Sequence, residues 1–418
     1  MKKIKAMDLF TNILSMDTSN CNEEVAINYI HSILLDHDIE SEVVESPNGR
    51  SNLIAKIKGN DRNPSLILLS HMDVVPAFSE DWTYGPFEGR IEEGCIWGRG
   101  TLDTKQLTVM HLIAFLKLKE LESLNRDVFF IVTADEESGS KEGMEFLAKK
   151  YFHIFKGSTV LSEGGGFTVK DQDNNTSILF ASAEKGTAKV RIHGEGPGGH
   201  AASPPTNTAS GDIIDSLEKI LKSTANKQDD IISNRFTQFI KVDDYSSSAS
   251  EDHKLVKQLQ EYMSQMTFSI ENFEIGDSIN VIPSRGFVDI QFRTLPDMNR
   301  ESLLSFIESI FTDKKSWELL DFQKGYISNP DHELISLFKK NGQELSFDSE
   351  WVPFTALGRT DGRFLSEYAD NIYGISPVYT PFREVLKRVH NINERIEIDS
   401  FEFGVEVMKR TVCDYCRI

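Results

Sequence analysis

Residues 128–137 read VFFIVTADEE, an apolar run that ends in three consecutive acidic residues. The run is rich in β-branched and aromatic side chains, which is typical of a buried strand. LILLS at 66–70 and STVLS at 158–162 are similar short runs. Helical patterns at 107–119 and 140–150 separate the three. The order predicts an α/β fold in which crossover helices connect the strands of one sheet.

The pattern changes near residue 186. From there the predicted order is strand, helix, strand, strand, helix, strand, which is the ferredoxin-like pattern. After about residue 325 the α/β pattern resumes. We therefore predict one α/β domain formed by residues 1–185 and 326–418, with a smaller α+β domain inserted at 186–325.

Composition excludes several classes of function. The 418 residues carry 45 basic and 65 acidic side chains, a net charge of −20, which disfavours a nucleic-acid or anionic-membrane partner. Because the chain has no secretory signal and no run of 18 apolar residues, we expect a soluble, cytoplasmic protein. Four cysteines are too few for a disulfide framework. Cys413 and Cys416 form a CxxC that is either two incidental thiols or a redox or metal site.

Acidic and imidazole side chains follow each predicted strand. His71 follows the first, Glu136 and Glu137 the second and Glu163 the third, while Asp103 in GRGTLDTK (98–105) precedes a helix. One such residue is usually a helix cap, but the carboxyl ends of parallel strands meet at one edge of a sheet. Several carboxylates there would repel each other unless a cation neutralised them. The set predicts bound metal.

These positions provide the roughly four ligands that one zinc ion needs. A carboxylate can bridge two ions, and a second ion would need another imidazole, for which His390 is the candidate. Glu136 and Glu137 diverge on extended backbone, so we expect one to bind metal and the other to act as general base. Their spacing does not say which.

Asp73 lies two residues after His71, so both side chains point the same way on an extended segment. The carboxylate could accept the second ring N–H of the histidine and so fix its tautomer. The alternative is a loop cap before Pro76.

At this point the sequence resembles the two-zinc metallopeptidase family that contains aminoacylase, glutamate carboxypeptidase, succinyl-diaminopimelate desuccinylase and carboxypeptidase S. The sequence motifs are most similar to those of carboxypeptidase S-like members. The resemblance covers nearly the whole chain and rests on SHMDVVPA (70–77), WTYGPFEGRIEEGCIWGRGTLDTK (82–105), TADEESGS (133–140), LSEGGG (161–166), GPGGHAASPP (196–205), INVIPS (279–284), TDGRF (360–364) and VHNINERI (389–396).

The resemblance implies a zinc exopeptidase-like catalytic domain with an inserted ferredoxin-like lid domain that usually dimerises. It implies that His71 and Glu163 bind one zinc ion, that Glu137 and His390 bind the other, and that Asp103 bridges them. Manganese or cobalt could occupy the same ligands. A cis peptide bond is implied just after the bridging aspartate.

The resemblance also implies roles outside the ligand set. Glu136 would be the general base, and Asp73 the partner of His71. His200 would reach a neighbouring active site to stabilise the oxyanion, with a solvated loop histidine as the alternative.

Asn280, Arg293 and Arg363 match positions that contact substrate, and Arg363 matches one that binds its terminal carboxylate. Arg293 could equally be a salt-bridged strand residue. Arg359 stands where the family usually has glycine, so the shape of this carboxylate pocket is open.

The expected reaction is hydrolysis of an amide bond in a small substrate with a free carboxylate, by a carboxypeptidase or dipeptidase. Glu163, where aminopeptidases typically have aspartate, favours the carboxypeptidase and deacylase branch. The main alternative is an N-acyl-amino-acid deacylase of the aminoacylase or desuccinylase type. A two-metal phosphoesterase and an inactive binding protein are further alternatives, although an inactive protein would be expected to lack some of these ligands.

Overall fold

The computed structural model describes residues 4–417 except 61–62, 172–174, 225–229, 241–250, 277, 312–315, 346 and 348. Numbered along these residues, the helices are α1 (Ala6–Leu14), α2 (Glu24–Asp36), α3 (Lys105–Leu118), α4 (Met144–Lys150), α5 (Phe152–Phe155), α6 (Ala209–Thr224), α7 (Ile231–Phe239), α8 (Glu251–Ser264), α9 (Arg300–Ile310), α10 (Glu333–Glu344), α11 (Phe382–Arg388) and α12 (Ile398–Tyr415).

The strands are β1 (Ser41–Glu45), β2 (Ser51–Ile57), β3 (Leu66–His71), β4 (Arg90–Glu92), β5 (Cys95–Trp97), β6 (Val128–Thr133), β7 (Thr159–Ser162), β8 (Thr168–Lys170), β9 (Thr176–Glu184), β10 (Gly186–Glu195), β11 (Gly199–His200), β12 (Thr267–Ile275), β13 (Val281–Ile282), β14 (Arg285–Thr294), β15 (Trp317–Gln323), β16 (Tyr326–Ile327), β17 (Glu350–Ala356), β18 (Asn371–Gly374) and β19 (Arg395–Glu397).

A large mixed sheet forms the centre of the molecule. Within the described residues it has ten strands, in the order β1-β2-β6-β3-β7-β18-β9-β16, with β17 and β8 also paired to β9. The three strands predicted from apolar runs, β6, β3 and β7, are neighbours and run parallel. The α/β prediction is confirmed, and the carboxyl ends of these strands meet at one edge.

Helices cover both faces of this sheet. On one face α1, α3 and α12 share a core that includes Phe10, Met110 and Phe401. On the other face α4 contributes Met144 and Leu147. The helix predicted at 140–150 begins only at Met144, because Ser140 is left-handed and Gly143 is not helical. Among the described helices none is both long enough and apolar enough to cross a bilayer.

The second sheet is antiparallel, in the order β12-β14-β10-β15. Helices α6 and α9 pack on it through a core that includes Ile213, Ile290 and Leu303. If its strands are numbered along the chain, the spatial order is 4-1-3-2, with a helix between the first and second strands and another between the third and fourth. This is the predicted ferredoxin-like arrangement.

Helices α7 and α8 interrupt that unit in sequence but pack elsewhere. Phe236 of α7 and Leu259 of α8 join Phe354 of β17 in a cluster over the large sheet. Part of the predicted insertion therefore covers the catalytic sheet. The domain limits 1–185, 186–325 and 326–418 stay a prediction.

Candidate metal centre

Three strand ends bring the predicted ligands together. His71 is the last residue of β3, Glu136 and Glu137 lie in a 3-10 helix just after β6, and Glu163 follows β7. Because these strands are parallel neighbours, the side chains converge at one edge of the sheet. Asp103 reaches the same edge from the loop that precedes α3.

Two ligand groups share the carboxylate of Asp103. Its Oδ1 lies 3.2 Å from His71 Nε2, which is 3.4 Å from Glu163 Oε2. Its Oδ2 lies 3.0 Å from His390 Nε2, which is 3.1 Å from Glu137 Oε1. In each group the ligand atoms lie within 4.8 Å of one another. One oxygen of Asp103 serves each group, which is the arrangement of a carboxylate that bridges two cations.

Electrostatics at the centre favour positive charge. Burial opposes protonation of His71, but Glu163, Asp103 and Asp73 outweigh it and raise the pKa of His71 well above its ordinary value. Hydrogen bonds to Asp103 and Glu137 raise the pKa of His390 to about 10. Burial raises the pKa of Glu163 to about 7. Crowded carboxylates of this kind stabilise a cation placed among them. The donor set therefore fits divalent metal ions.

Glu136 belongs to neither ligand group but lines the same cavity. The geometry therefore separates the two adjacent glutamates, which their spacing did not. Burial, followed by repulsion from Glu163, raises the pKa of Glu136 well above its ordinary value. A carboxylate with raised proton affinity, free of the ligand groups, is suited to accept a proton.

Asp73 contacts both His71 and the two glutamates that follow β6. Its Oδ1 accepts a hydrogen bond from the Glu136 backbone N–H at 3.1 Å, and its Oδ2 accepts one from the Glu137 N–H at 3.0 Å. The acceptor nearest His71 Nδ1 is the Asp73 backbone carbonyl at 2.9 Å, with the carboxylate at 3.6 Å. The ring N–H of His71 thus lies closer to the Asp73 carbonyl than to the Asp73 carboxylate, and the expected bond to the carboxylate stays a prediction.

A residue that the sequence did not single out holds the Asp103 loop. Glu394 is fully buried and accepts hydrogen bonds from Arg99 Nη1 at 2.6 Å and from the Leu102 N–H at 2.8 Å. It lies four residues after His390, so one carboxylate ties together the segments that carry the bridging ligand and the second histidine. The only indication of this role in the sequence was the position of Glu394 within the motif VHNINERI. The peptide bond Asp103–Thr104 is cis, as the resemblance implied.

Two arginines line the cavity of about 720 Å³ that contains both ligand groups. Arg363 is 7% exposed and donates from Nη1 to the Thr360 carbonyl at 3.0 Å, while its buried Nε has no partner among the described residues. Arg359 is exposed and donates to Gln323 Oε1 at 3.1 Å. The position that departs from the family glycine therefore adds a second guanidinium to this cavity.

The three predicted lid residues are not among the described residues that line this cavity. His200 of β11 is exposed and pairs with Val281 of β13, beside Asn280. Arg293 is partly buried on β14, and its Nη1 lacks a partner among the described residues. Of the described side chains that line the cavity with the ligand groups, none is His200, Asn280 or Arg293. The structure thus brings His200 and Asn280 together, but not to the ligands of their own chain.

Residues 67–414 match the family model described as peptidase family M20/M25/M40. The chain belongs to this family. Its members are metallopeptidases and related amide hydrolases, so the protein is a metal-dependent hydrolase acting on amide bonds of small substrates.

Two relatives are named for hydrolysis of this kind, and a solved structure has the same fold. The chain is 25% identical over 417 residues to a probable succinyl-diaminopimelate desuccinylase of Staphylococcus aureus strain N315, covering 98% of this chain and 97% of the relative. It is 27% identical over 415 residues to the human N-fatty-acyl-amino acid synthase/hydrolase PM20D1, covering 90% and 80%. The fold matches the M20 family metallo-carboxypeptidase Sso-CP2 of Sulfolobus solfataricus with a TM-score of 0.73, at 17% identity and over 99% of each chain.

Proposed function

We propose that this M20 family protein cleaves the amide bond next to a free carboxylate, as a carboxypeptidase or dipeptidase, with two zinc ions per subunit. The observation that carries the proposal is the pair of ligand groups that share Asp103, with Glu136 free beside them. Each group combines an imidazole with carboxylates, a donor set that suits zinc and that manganese or cobalt could also use.

When bound, two divalent cations lower the pKa of a water molecule and polarise the scissile carbonyl. Glu136 accepts the proton of the attacking water and delivers it to the leaving amine. Asp73 keeps Glu136 and Glu137 in place through their backbone N–H groups. The position of Glu136 in the cavity beside both ligand groups, while belonging to neither, supports the role of base.

The substrate carboxylate binds Arg363, whose Nε has no partner within the described part of the chain and offers a buried donor in the cavity of the ligand groups. Arg293 and Asn280 approach from the lid domain, and His200 stabilises the oxyanion of a neighbouring subunit. The separation of His200 from its own cavity supports a contribution in trans.

A homodimer through the lid domain is part of this proposal. Strand β12 lies at the edge of its sheet, and Ile270 and Phe273 on it are each 50% exposed. Val281 beside Asn280 is 57% exposed. An exposed apolar edge strand is a template for pairing with a second copy. Light scattering of the purified protein should give twice the chain mass, and cell fractionation should place the protein in the cytoplasm.

N-acyl-amino-acid deacylation is the second candidate. Two relatives are named for hydrolysis of N-acyl compounds, and one wall of the cavity is apolar rather than lined with peptide-binding groups. The chemistry at the metal centre is the same in both cases. Metal analysis combined with parallel panels of dipeptides and N-acyl amino acids tests the proposal. Two metal equivalents with cleavage of dipeptides would support the proposal, and cleavage of N-acyl amino acids alone would favour the second candidate. A metal-loaded protein inactive on both panels would contradict both.

A further inference from the structure

A buried carboxylate lies where the chain passes from the large sheet into the second sheet. Glu184 is the last residue of β9, and β10 begins two residues later at Gly186. The chain returns through β16, in which Tyr326 pairs with Glu184. Glu184 is 1% exposed, belongs to neither ligand group and does not line the cavity that contains them. Burying an unpaired carboxylate is costly, so the groups around Glu184 must offset that cost.

The hydrogen-bond partner of Glu184 is Thr360, which precedes the 3-10 turn Asp361–Leu365 that carries Arg363. The Thr360 hydroxyl donates to Glu184 Oε2 at 2.6 Å, and Thr360 is 7% exposed. The carbonyl of the same threonine accepts a hydrogen bond from Arg363 Nη1 at 3.0 Å. Thr360 therefore links Glu184 to Arg363, because its side chain is held by the carboxylate and its carbonyl holds the guanidinium.

Glu184 also offsets repulsion among the arginines near this turn. Burial lowers the pKa of Arg293, and Glu184 opposes that shift whereas Arg363 adds to it. Burial likewise lowers the pKa of Arg359, with repulsion from the other two guanidiniums adding to the shift and Glu184 opposing it. The negative charge of Glu184 thus stabilises an arrangement in which like charges lie close together.

The arginines keep donors for a further anion. Arg363 Nε and Arg293 Nη1 are buried and have no hydrogen-bond partner in the part of the chain that the structure describes. Arg363 and Thr360 both line the cavity of the ligand groups. The one negative charge of Glu184 does not cancel the positive charges of both arginines, so this region still attracts a carboxylate.

Resting on the function proposed above, in which Arg363 binds the substrate carboxylate, we propose that Glu184 is the positioning residue for this arginine. Glu184 does not touch the substrate. It fixes the Thr360 side chain, and the Thr360 carbonyl orients the guanidinium. Because a guanidinium binds a carboxylate through two parallel hydrogen bonds, its orientation decides the affinity. Loss of the bond between Glu184 and Thr360 therefore weakens binding of a free-acid substrate and leaves the metal-dependent step intact.

The test compares one substrate that the parent protein cleaves with the C-terminal amide of the same substrate. Thr360→Val removes the hydroxyl at nearly constant volume. We expect KM for the free acid to rise about tenfold, as for the loss of one hydrogen bond to a charged group, with kcat and the kinetics of the amide nearly unchanged. An unchanged KM, or an equal rise for the amide, would overturn the inference.

Thr380→Val is the matched control for Thr360→Val. Thr380 is 1% exposed and donates to Glu397 Oε2 at 3.0 Å, but it does not line the cavity. The control should lower the melting temperature and leave KM for the free acid unchanged. A rise in KM equal to that of Thr360→Val would show a general effect of losing a buried hydroxyl, and would contradict the positioning role.

Substitutions at Glu184 show whether the effect arises there. Glu184→Ala removes the acceptor, so its effect on KM for the free acid should not add to that of Thr360→Val in the double variant. Glu184→Gln keeps an oxygen that accepts from Thr360 and should therefore stay closer to the parent. Additive effects, or a Glu184→Gln variant as impaired as Glu184→Ala, would overturn the inference. If Glu184→Ala does not fold, Thr360→Val and Glu184→Gln still decide it.

The parent protein reports the proposed function separately. A carboxylate site at Arg363 requires the parent to prefer the free acid over its amide. A parent without that preference would contradict the proposed function, and the inference with it. A parent with the preference, whose KM is unaffected by Thr360→Val, would contradict only the role of Glu184.

Discussion

The two ligand groups at Asp103 differ in how the fold holds them. His71 and Glu163 lie at the ends of buried parallel strands, and the His71 side chain is 1% exposed. His390 lies in a loop after α11, and its side chain is 50% exposed. The first group is therefore held by two strand ends, whereas the second combines one strand end, through Glu137 after β6, with a loop residue, His390. A single carboxylate connects a fixed site with an accessible one.

Asp103→Asn should have the largest effect because it removes charge from both groups at once. We expect fewer than two metal equivalents per chain, and a loss of kcat/KM of about a thousandfold, since a catalytic metal supplies several kcal/mol. Elemental analysis and steady-state kinetics check this. Asp81→Asn is the control, because Asp81 is exposed outside the site. Two retained metal ions with near-normal turnover would show that the Asp103 carboxylate is not needed as a ligand shared by the two groups.

Glu136→Gln should separate metal binding from proton transfer. Because Glu136 is in neither group, both metals should remain, while kcat falls about 10²- to 10⁴-fold. Glu88→Gln, at a side chain that is 53% exposed, serves as the control. If the metal content fell instead, Glu136 would be a ligand and the assignment of the two glutamates would be reversed.

Glu394→Gln should weaken the bridge without touching a ligand. The amide can still accept from the Leu102 N–H, but the ion pair with buried Arg99 is lost. We expect about 10- to 100-fold weaker metal binding, with activity largely recovered at saturating zinc. A purely structural role would lower the melting temperature and leave the zinc titration unchanged.

Metal removal should expose the difference between the two groups directly. A chelator should withdraw the ion at the His390 side first, giving two phases of zinc release. His390→Ala should retain one zinc per chain and release it in a single slow phase. Release in a single phase from the parent protein would argue against two unequal sites.

Arg359→Gly should have the smallest effect, because Arg359 is exposed and the substitution restores the glycine that is usual in the family. We expect a two- to fivefold lower kcat/KM for a free-acid substrate, about the worth of an exposed ion pair, and no change for the corresponding amide. An equal loss on acid and amide would show that Arg359 does not contact the carboxylate.

The difference between the halves also shows what the sequence could reveal. The strand ends were predictable because apolar runs mark β3, β6 and β7, and polar residues must follow them. Strand β17 was missed, since Glu350–Ala356 contains a proline and lacks a long apolar run. The partner of α8 was missed because periodicity reveals an apolar face but not the surface that covers it.

Residue chemistry gave the candidate ligands and the resemblance implied their assignment to two sites, but neither pointed to the residue that supports them. Glu394 lies in a polar loop segment, where its sequence context is that of a solvated glutamate. Only the folded structure shows that this segment, four residues after His390, packs against the Asp103 loop. Spacing likewise could not separate Glu136 from Glu137; the resemblance implied which was which, and the geometry agrees, with Glu137 in a ligand group and Glu136 in neither.

Anomalous diffraction at the zinc edge, from crystals grown with zinc, would locate the metal ions themselves. We expect two peaks on either side of the Asp103 carboxylate, about 3.5–4 Å apart, one beside His71 and one beside His390. A single peak, or peaks away from Asp103, would contradict this expectation.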